Sequence, residues 1–110
     1  MQNPYTDEAS QPIRFWANKY KTKFNEDPTV FSVYGYSAID TFAAGAAKAG
    51  AALNTETFIK AMDTMKLPTD IFGSAPATFS PTKRLGSDAS RLSQITDGKW
   101  KVVSDYVKVD

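Results

Sequence analysis

The residues that most constrain the fold of this chain lie at positions 31–50 and read FSVYGYSAIDTFAAGAAKAG. Clustered β-branched and aromatic residues predict a short buried strand over residues 29–33. The helical spacing of the apolar residues then predicts a helix over 36–49, and Gly50 is a favourable residue for ending it. Because the apolar face of this helix is mostly alanine, with Gly45 nearby, we expect a sheet or a second helix to pack closely against it.

Two further helices are predicted on either side of this stretch. Pro12 suits a first helical position, and this first helix should end near Asn25, shortly before a proline that disfavours helical geometry. Asn54 or Thr55 can cap the start of the other helix, which Pro68 closes. The predicted buried stripe of that helix is apolar and consists of Phe58, Ile59, Met62 and Met65.

After the third helix the helical periodicity disappears. Residues 75–79 are predicted to form a strand, and residues 80–88 read as a loop or linker. The sequence over 92–107 predicts a β-hairpin, because Asp97 and Gly98 suit the two positive-φ positions of a type I′ turn.

The predicted fold class is therefore α/β, with three helices, short strands and a C-terminal β-hairpin. A lone hairpin is marginal in water and needs more strands or a helix to cover one face. A small chain that combines such a hairpin with a helix built for close packing is expected to be one piece of a larger protein. That expectation directs the search for function toward a binding site rather than a reaction.

Composition excludes several classes of function. The 110 residues, 42% of them hydrophobic, fit a single globular domain. The absence of cysteine excludes disulfides and thiolate metal sites, and the absence of histidine removes the commonest general base and metal ligand. The sequence thus predicts no catalytic residues, no metal site and no cofactor, and a protein that is not an enzyme. A net charge of +1 predicts no strong attraction for nucleic acid.

Other motifs have simpler interpretations. Gly45 and Gly50 are spaced like the glycines of a P-loop, but alanines stand where lysine and a hydroxyl residue must follow. Asp40, near the start of the predicted helix over 36–49, is expected to favour the helix dipole. Residues 2–10 are polar and acidic and lack the regions of a signal peptide, which indicates a cytoplasmic protein only if Met1 is the natural start.

The order of these segments resembles a known family. The segments in question read FWANKYKTKF, GYSAIDTFAAGAAKAG, NTETFIKAM, GSAPATFSPTKRLG and QITDGKW. They resemble the C-terminal part of type I periplasmic solute-binding proteins, in particular the branched-chain amino acid and amide receptors that serve ABC transporters. The resemblance covers residues 13–107, nearly the whole chain.

The resemblance implies a fragment of a two-lobed fold that captures a small amino acid, amide or aromatic acid by lobe closure. It assigns residues 1–82 to the first, N-terminal lobe, 83–88 to a hinge crossing, and 89–110 to the C-terminal hairpin of the second lobe. The implied partners are the ligand, the membrane permease of an ABC transporter, and the N-terminal lobe region that is missing from this chain. The implied location of the parent protein is periplasmic or otherwise extracytoplasmic.

The resemblance also implies that Phe31 and Tyr34 are ligand-binding residues. Side chains at the carboxyl end of a parallel strand line the crevice of an open α/β sheet, and a tyrosine offers both an apolar face and a hydroxyl. The alternative is that both are ordinary core aromatics, and Tyr36 is expected to pack on the core. With few polar anchors present, binding by this chain alone should be millimolar at best, about 4 kcal/mol or less.

A second interpretation of the whole chain remains open. It could be a self-contained α/β interaction domain that pairs with a partner through the edge of its hairpin.

Overall fold

The computed structural model describes residues 9–108 as three helices followed by six short strands. The helices are α1 (Gln11–Phe24), α2 (Val30–Ala49) and α3 (Thr55–Thr64), with a 3-10 turn at Gly50–Ala52. The strands are β1 (Lys66–Leu67), β2 (Ala77–Thr78), β3 (Ala89–Ser90), β4 (Ser93–Thr96), β5 (Lys99–Val102) and β6 (Val107–Lys108). The predicted α/β class with three helices, short strands and a hairpin is confirmed. Within residues 9–108, none of the helices has the length and apolar character needed to cross a membrane.

Helix α1 begins and ends where its sequence predicts. Proline occupies its first turn, and Asn25 adopts a left-handed conformation with φ of 54°. The backbone N–H of Asn25 donates to the Lys21 carbonyl at 2.8 Å, which completes the C-cap. The buried face of α1 carries Ile13, Trp16 and Ala17.

The predicted strand over residues 29–33 is wrong, because helix α2 already begins at Val30. The backbone N–H of Thr29 donates to the Ser32 hydroxyl at 3.1 Å, and the Thr29 carbonyl accepts from the Val33 N–H at 3.2 Å. This local cap, followed by burial of Val33 in the core, outweighs the strand preference of β-branched residues. Asp40 consequently lies in the middle of α2 rather than near its start, so the predicted dipole interaction is also wrong.

The small residues of α2 pack against α3, as predicted. Gly45 is buried, and a Cβ added there would come 2.6 Å from Met62 Sδ and 2.7 Å from Phe58 Cε2. Helix α3 starts at the predicted cap, where the Asn54 side chain accepts a hydrogen bond from the Thr57 N–H at 3.0 Å. The prediction for Ile59 is wrong: that side chain is exposed.

The strands form three separate antiparallel pairs, β1–β2, β3–β6 and β4–β5. Asp97 and Gly98 have φ values of 51° and 74°, so the predicted type I′ turn between β4 and β5 is confirmed. The predicted second arm of the hairpin over residues 99–107 is too long. Strand β5 ends at Val102, and Val107 belongs to β6, where it pairs with Ser90 of β3.

Residues 83–86, within the predicted hinge crossing, fold back on their surroundings. The Lys83 ammonium donates to the carbonyl oxygens of Thr78 at 2.9 Å and Gly86 at 3.1 Å. Arg84 forms an ion pair with Asp63 of α3 at 2.6 Å. The division into residues 1–82, 83–88 and 89–110 stays a prediction, and positions 1–8 and 109–110 lie outside the described residues.

The main buried cluster is small and lies mostly on the helices. It contains Ala9, Ile13, Trp16, Ala17, Val33 and Phe72. Phe72, from the segment between β1 and β2, is fully buried with its ring centroid 4.9 Å from that of Trp16.

The radius of gyration is 16.0 Å, whereas a compact domain of this length has a value of about 13 Å. The chain therefore spreads into a flat shape, with extents of 48 × 39 × 19 Å, that leaves large apolar side chains exposed on several faces.

Candidate functional site

The two aromatic residues singled out from the sequence lie on the first turns of α2. Phe31 is 81% exposed and Tyr34 is 53% exposed, and their ring centroids are 6.3 Å apart in an edge-to-face arrangement. Both residues were expected to lie at the carboxyl end of a parallel strand, and that expectation is wrong because both belong to helix α2. The structure nevertheless puts them side by side on an accessible face and outside the buried core. Their role as ligand contacts stays a prediction.

Tyr34 also lines a cavity of about 310 Å³. The cavity is formed where the start of α2 meets the segment after Phe72, strand β3 and the segment before β6. Its other lining residues are small or polar and consist of Ser74, Ala75, Ser87, Ala89, Ser90, Arg91 and Tyr106. Hydroxyl and guanidinium groups therefore lie beside an aromatic surface, an arrangement suited to a small ligand with one apolar and one polar part.

Asp70 holds one wall of this cavity in place. Its Oδ1 accepts hydrogen bonds from the backbone N–H groups of Phe72 at 2.9 Å and Ser74 at 3.1 Å. Its Oδ2 accepts from the Ser37 hydroxyl at 3.5 Å, which ties the segment to α2 one turn beyond Tyr34. The position of Ser74 beside Tyr34 thus follows from a local turn and a contact to the helix.

Two cavity residues, Arg91 and Tyr106, were missed by the sequence reasoning. They come together because β3 pairs with β6, with Ser90 opposite Val107. The pairing joins residues that are far apart in the sequence, so no local motif marks them as a site. A tyrosine in a short segment before a two-residue strand is also unremarkable by itself.

A larger groove of about 670 Å³ lies between α1 and the first half of α2. Its lining is mainly aromatic and aliphatic, with Lys19 and Lys23 among the lining residues. Tyr36 lies in this groove, with its ring edge-on to Trp16 at 5.7 Å and to Phe72 at 5.8 Å between centroids. The residue is 45% exposed and is not part of the buried cluster, so Tyr36 touches the edge of the core rather than being buried in it as predicted. This groove contains neither Phe31 nor Tyr34, whereas Tyr34 lines the smaller cavity, which is therefore the better candidate for the predicted ligand contacts.

The comparison with protein families identifies the class of this chain. The family model for periplasmic binding proteins matches residues 1–99, and the chain belongs to this family. A search of curated proteins gave no match. The three helices and short antiparallel strands are consistent with a fragment of the type I binding-protein fold. Membership implies binding of a small-molecule solute and an extracytoplasmic location.

Proposed function

We propose that this chain is a C-terminal segment of the substrate-binding component of an ABC transporter. The parent protein would capture a small amino acid, amide or aromatic acid and present it to the membrane permease. The observation that carries the proposal is the family match over residues 1–99. Tyr34, which lines a small polar cavity, and the exposed Phe31 beside it would supply one wall for such a ligand.

The proposed mechanism is capture by differential affinity, without any bond being made or broken. A ligand that contacts both lobes only in the closed form shifts the equilibrium between open and closed states. In this scheme the exposed rings of Phe31 and Tyr34 cover the apolar part of the ligand, and the Tyr34 hydroxyl helps to orient it. The role of this chain is to supply part of one wall rather than a complete clamp.

The test is a two-dimensional amide NMR titration of the chain with leucine, phenylalanine, acetamide and benzoate. We expect saturable shifts around Phe31 and Tyr34 for at least one compound. The expected dissociation constant is about 1 mM or weaker, equivalent to ~4 kcal/mol. Replacing either residue with alanine should remove the shifts, whereas Phe15→Ala, which truncates an exposed phenylalanine of α1, should not. A dispersed amide spectrum that shows no saturable shift with any of these compounds would count against the proposal that this chain forms part of the ligand-binding site.

One observation favours the alternative of an interaction domain. Strands β4 and β5 form an isolated two-stranded sheet, and the paired residues Ile95 and Trp100 are both exposed. Such a hairpin can pair with another strand through its open edge. Light scattering after gel filtration separates the two proposals. A dimer that Trp100→Lys converts to a monomer supports pairing through the hairpin. A chain that stays monomeric at all concentrations supports the proposal that it is a segment of a solute-binding protein.

A further inference from the structure

We infer that the groove between α1 and the first half of α2 is a docking site for an amphipathic helix of a protein partner, with acidic residues beside its apolar face. The groove has a volume of about 670 Å³ and contains neither Phe31 nor Tyr34. The inference therefore goes beyond solute binding and concerns a different surface of the chain.

The first argument is the spacing of the groove residues on α1. They recur at alternating intervals of three residues and one residue, and they are Pro12, Phe15, Trp16, Lys19, Tyr20, Lys23 and Phe24. Residues with this spacing share one face of a helix. At the rise of an α-helix, the face from Pro12 to Phe24 is about 18 Å long. A groove that follows a helix over this length matches a second helix laid alongside it.

The second argument is the exposed apolar surface of the groove. Phe15 and Phe24 are both exposed, and they lie in the same groove as the rings of Trp16 and Tyr36. An exposed apolar patch bordered by polar residues is typical of an interaction site. On the α2 side, a Cβ added to Gly35 would meet no atom within 4 Å, which leaves room for the side chains of a partner.

The third argument is the charge of the groove, which selects the chemistry of the partner. Helix α1 contains four basic residues and no acidic one, whereas the whole chain has 13 basic and 12 acidic residues. Lys19 and Lys23 line the groove, and none of its lining residues is acidic. Neither lysine belongs to the ion pairs formed within residues 9–108, in which Asp27 pairs with Lys21 instead. The rim of the groove therefore carries positive charge that an acidic partner would balance.

The spacing of the two lysines also matches a helical partner. Lys19 and Lys23 are one helical turn apart, so their Cβ atoms are about 5–6 Å from each other. Two acidic residues at positions i and i+4 of a partner helix have the same separation. Such a helix could pair with both lysines while its apolar side chains occupy the groove.

Two other occupants fit less well. A second copy of α1 would bring like charges together, because this helix has basic residues and no acidic ones. An anionic membrane suits basic and aromatic side chains, but its flat surface fills a groove less completely than a helix does. Anionic vesicles are therefore included in the experiment.

The experiment measures the binding of two stapled helical peptides to the full chain by fluorescence anisotropy. Each has about 14 residues, ~21 Å as a helix, with leucines along one face. One peptide has glutamates beside the leucines, and the other has glutamines, which have a similar helix propensity. We expect the glutamate peptide to bind about fivefold more tightly, the effect of two exposed ion pairs. The difference should disappear in 1 M salt, where the Debye length is about 3 Å.

A pair of double variants locates the charge effect. Lys19→Gln combined with Lys23→Gln should abolish the preference for the glutamate peptide. Arg14→Gln combined with Lys21→Gln makes the same change of charge on the same helix, but neither of these residues lines the groove. This matched variant should retain most of the preference. An equal loss in both would mean diffuse attraction to α1 and would overturn recognition in the groove.

A second pair of variants tests the apolar part of the groove. Gly35→Phe should weaken binding of both peptides about tenfold, because the new ring would occupy space that partner side chains need. Ala43→Phe is the matched control, since Ala43 is an exposed residue of α2 outside the groove. Circular dichroism checks that both variants remain helical. Unchanged binding to a folded Gly35→Phe variant would overturn docking in the groove.

The remaining outcomes also decide the proposal. Equal binding of the two peptides at low salt would overturn an acidic partner, and no binding of either would overturn the docking site. Neither result would affect the solute titration, which reports on Phe31 and Tyr34. The third probe is vesicles of equal parts phosphatidylcholine and phosphatidylglycerol. Co-sedimentation of the chain with them, competed by the glutamate peptide, would overturn a protein partner and assign the groove to a membrane surface.

Discussion

The helical part of the chain, residues 11–64, and the strand part, residues 66–108, differ sharply in how they bury side chains. The helical part contributes Ile13, Trp16, Ala17 and Val33 to the main cluster and buries Gly45 between α2 and α3. In the strand part Phe72 is the only buried residue. Its three strand pairs have two to four residues per strand, too few to be stable without support.

The difference shows where a site can be built. The helices provide a framework that is stabilised by its own packing, and the strands depend on contacts with that framework. The candidate cavity lies at the junction, because Tyr34 comes from α2 while Arg91 and Tyr106 come from the strand part. A ligand bound there would touch both parts, so its affinity reports on how firmly the strands are attached to the helices.

The largest expected effect comes from removing Phe72, the core residue that joins the two parts. Phe72→Ala should lower the free energy of unfolding by about 3–5 kcal/mol, since it deletes a fully buried ring that packs against Trp16. Urea denaturation followed by Trp fluorescence measures this. The matched control Phe31→Ala removes a ring that is 81% exposed and should change stability by no more than about 0.5 kcal/mol. Equal effects of the two variants would mean that the strand part does not depend on the helical core.

A second prediction tests the helical part alone through two glycines of α2. Gly45→Val should destabilise the chain by about 1–3 kcal/mol, because the new side chain would meet Phe58 and Met62 of α3. Gly35→Val is the matched control, since no atom lies within 4 Å of a Cβ added there. It should stabilise α2 by a few tenths of a kcal/mol, about the difference in helix propensity. Thermal unfolding followed by circular dichroism measures both, and shifts of the same sign would refute close packing at Gly45.

Local signals were sufficient to predict much of the helical part. The ends of α1 and α3 follow from a proline at a first turn, a left-handed asparagine and the Asn54 cap. The start of α2 could not be predicted in the same way, because residues 29–33 have strand propensity and the cap at Thr29 competes with it. Which preference prevails is decided by the burial of Val33 against the other core residues, a tertiary effect.

The candidate site was predictable only in part. Phe31 and Tyr34 were identified through a family resemblance, although the strand assumed to carry them is helical. Arg91 and Tyr106 meet through the pairing of β3 with β6, which joins distant two-residue strands. Such strands are too short to show an alternating pattern, whereas the type I′ turn at Asp97 and Gly98 was predictable because its dihedral angles demand particular residues.

The smallest expected effect concerns a polar contact between the two parts, the ion pair of Arg84 with Asp63. The Asp63 side chain is only 16% exposed, so Arg84→Gln should cost somewhat more than a typical surface pair, about 0.5–1 kcal/mol. The cost should shrink in 1 M salt, where the Debye length is about 3 Å. Urea denaturation at low and high salt measures it, with Lys60→Gln as control because its pair with Glu56 lies within α3 and is highly exposed. If both variants behave alike, Arg84 does not help to attach the strand part, and that attachment rests on Phe72 and the contacts around Asp70.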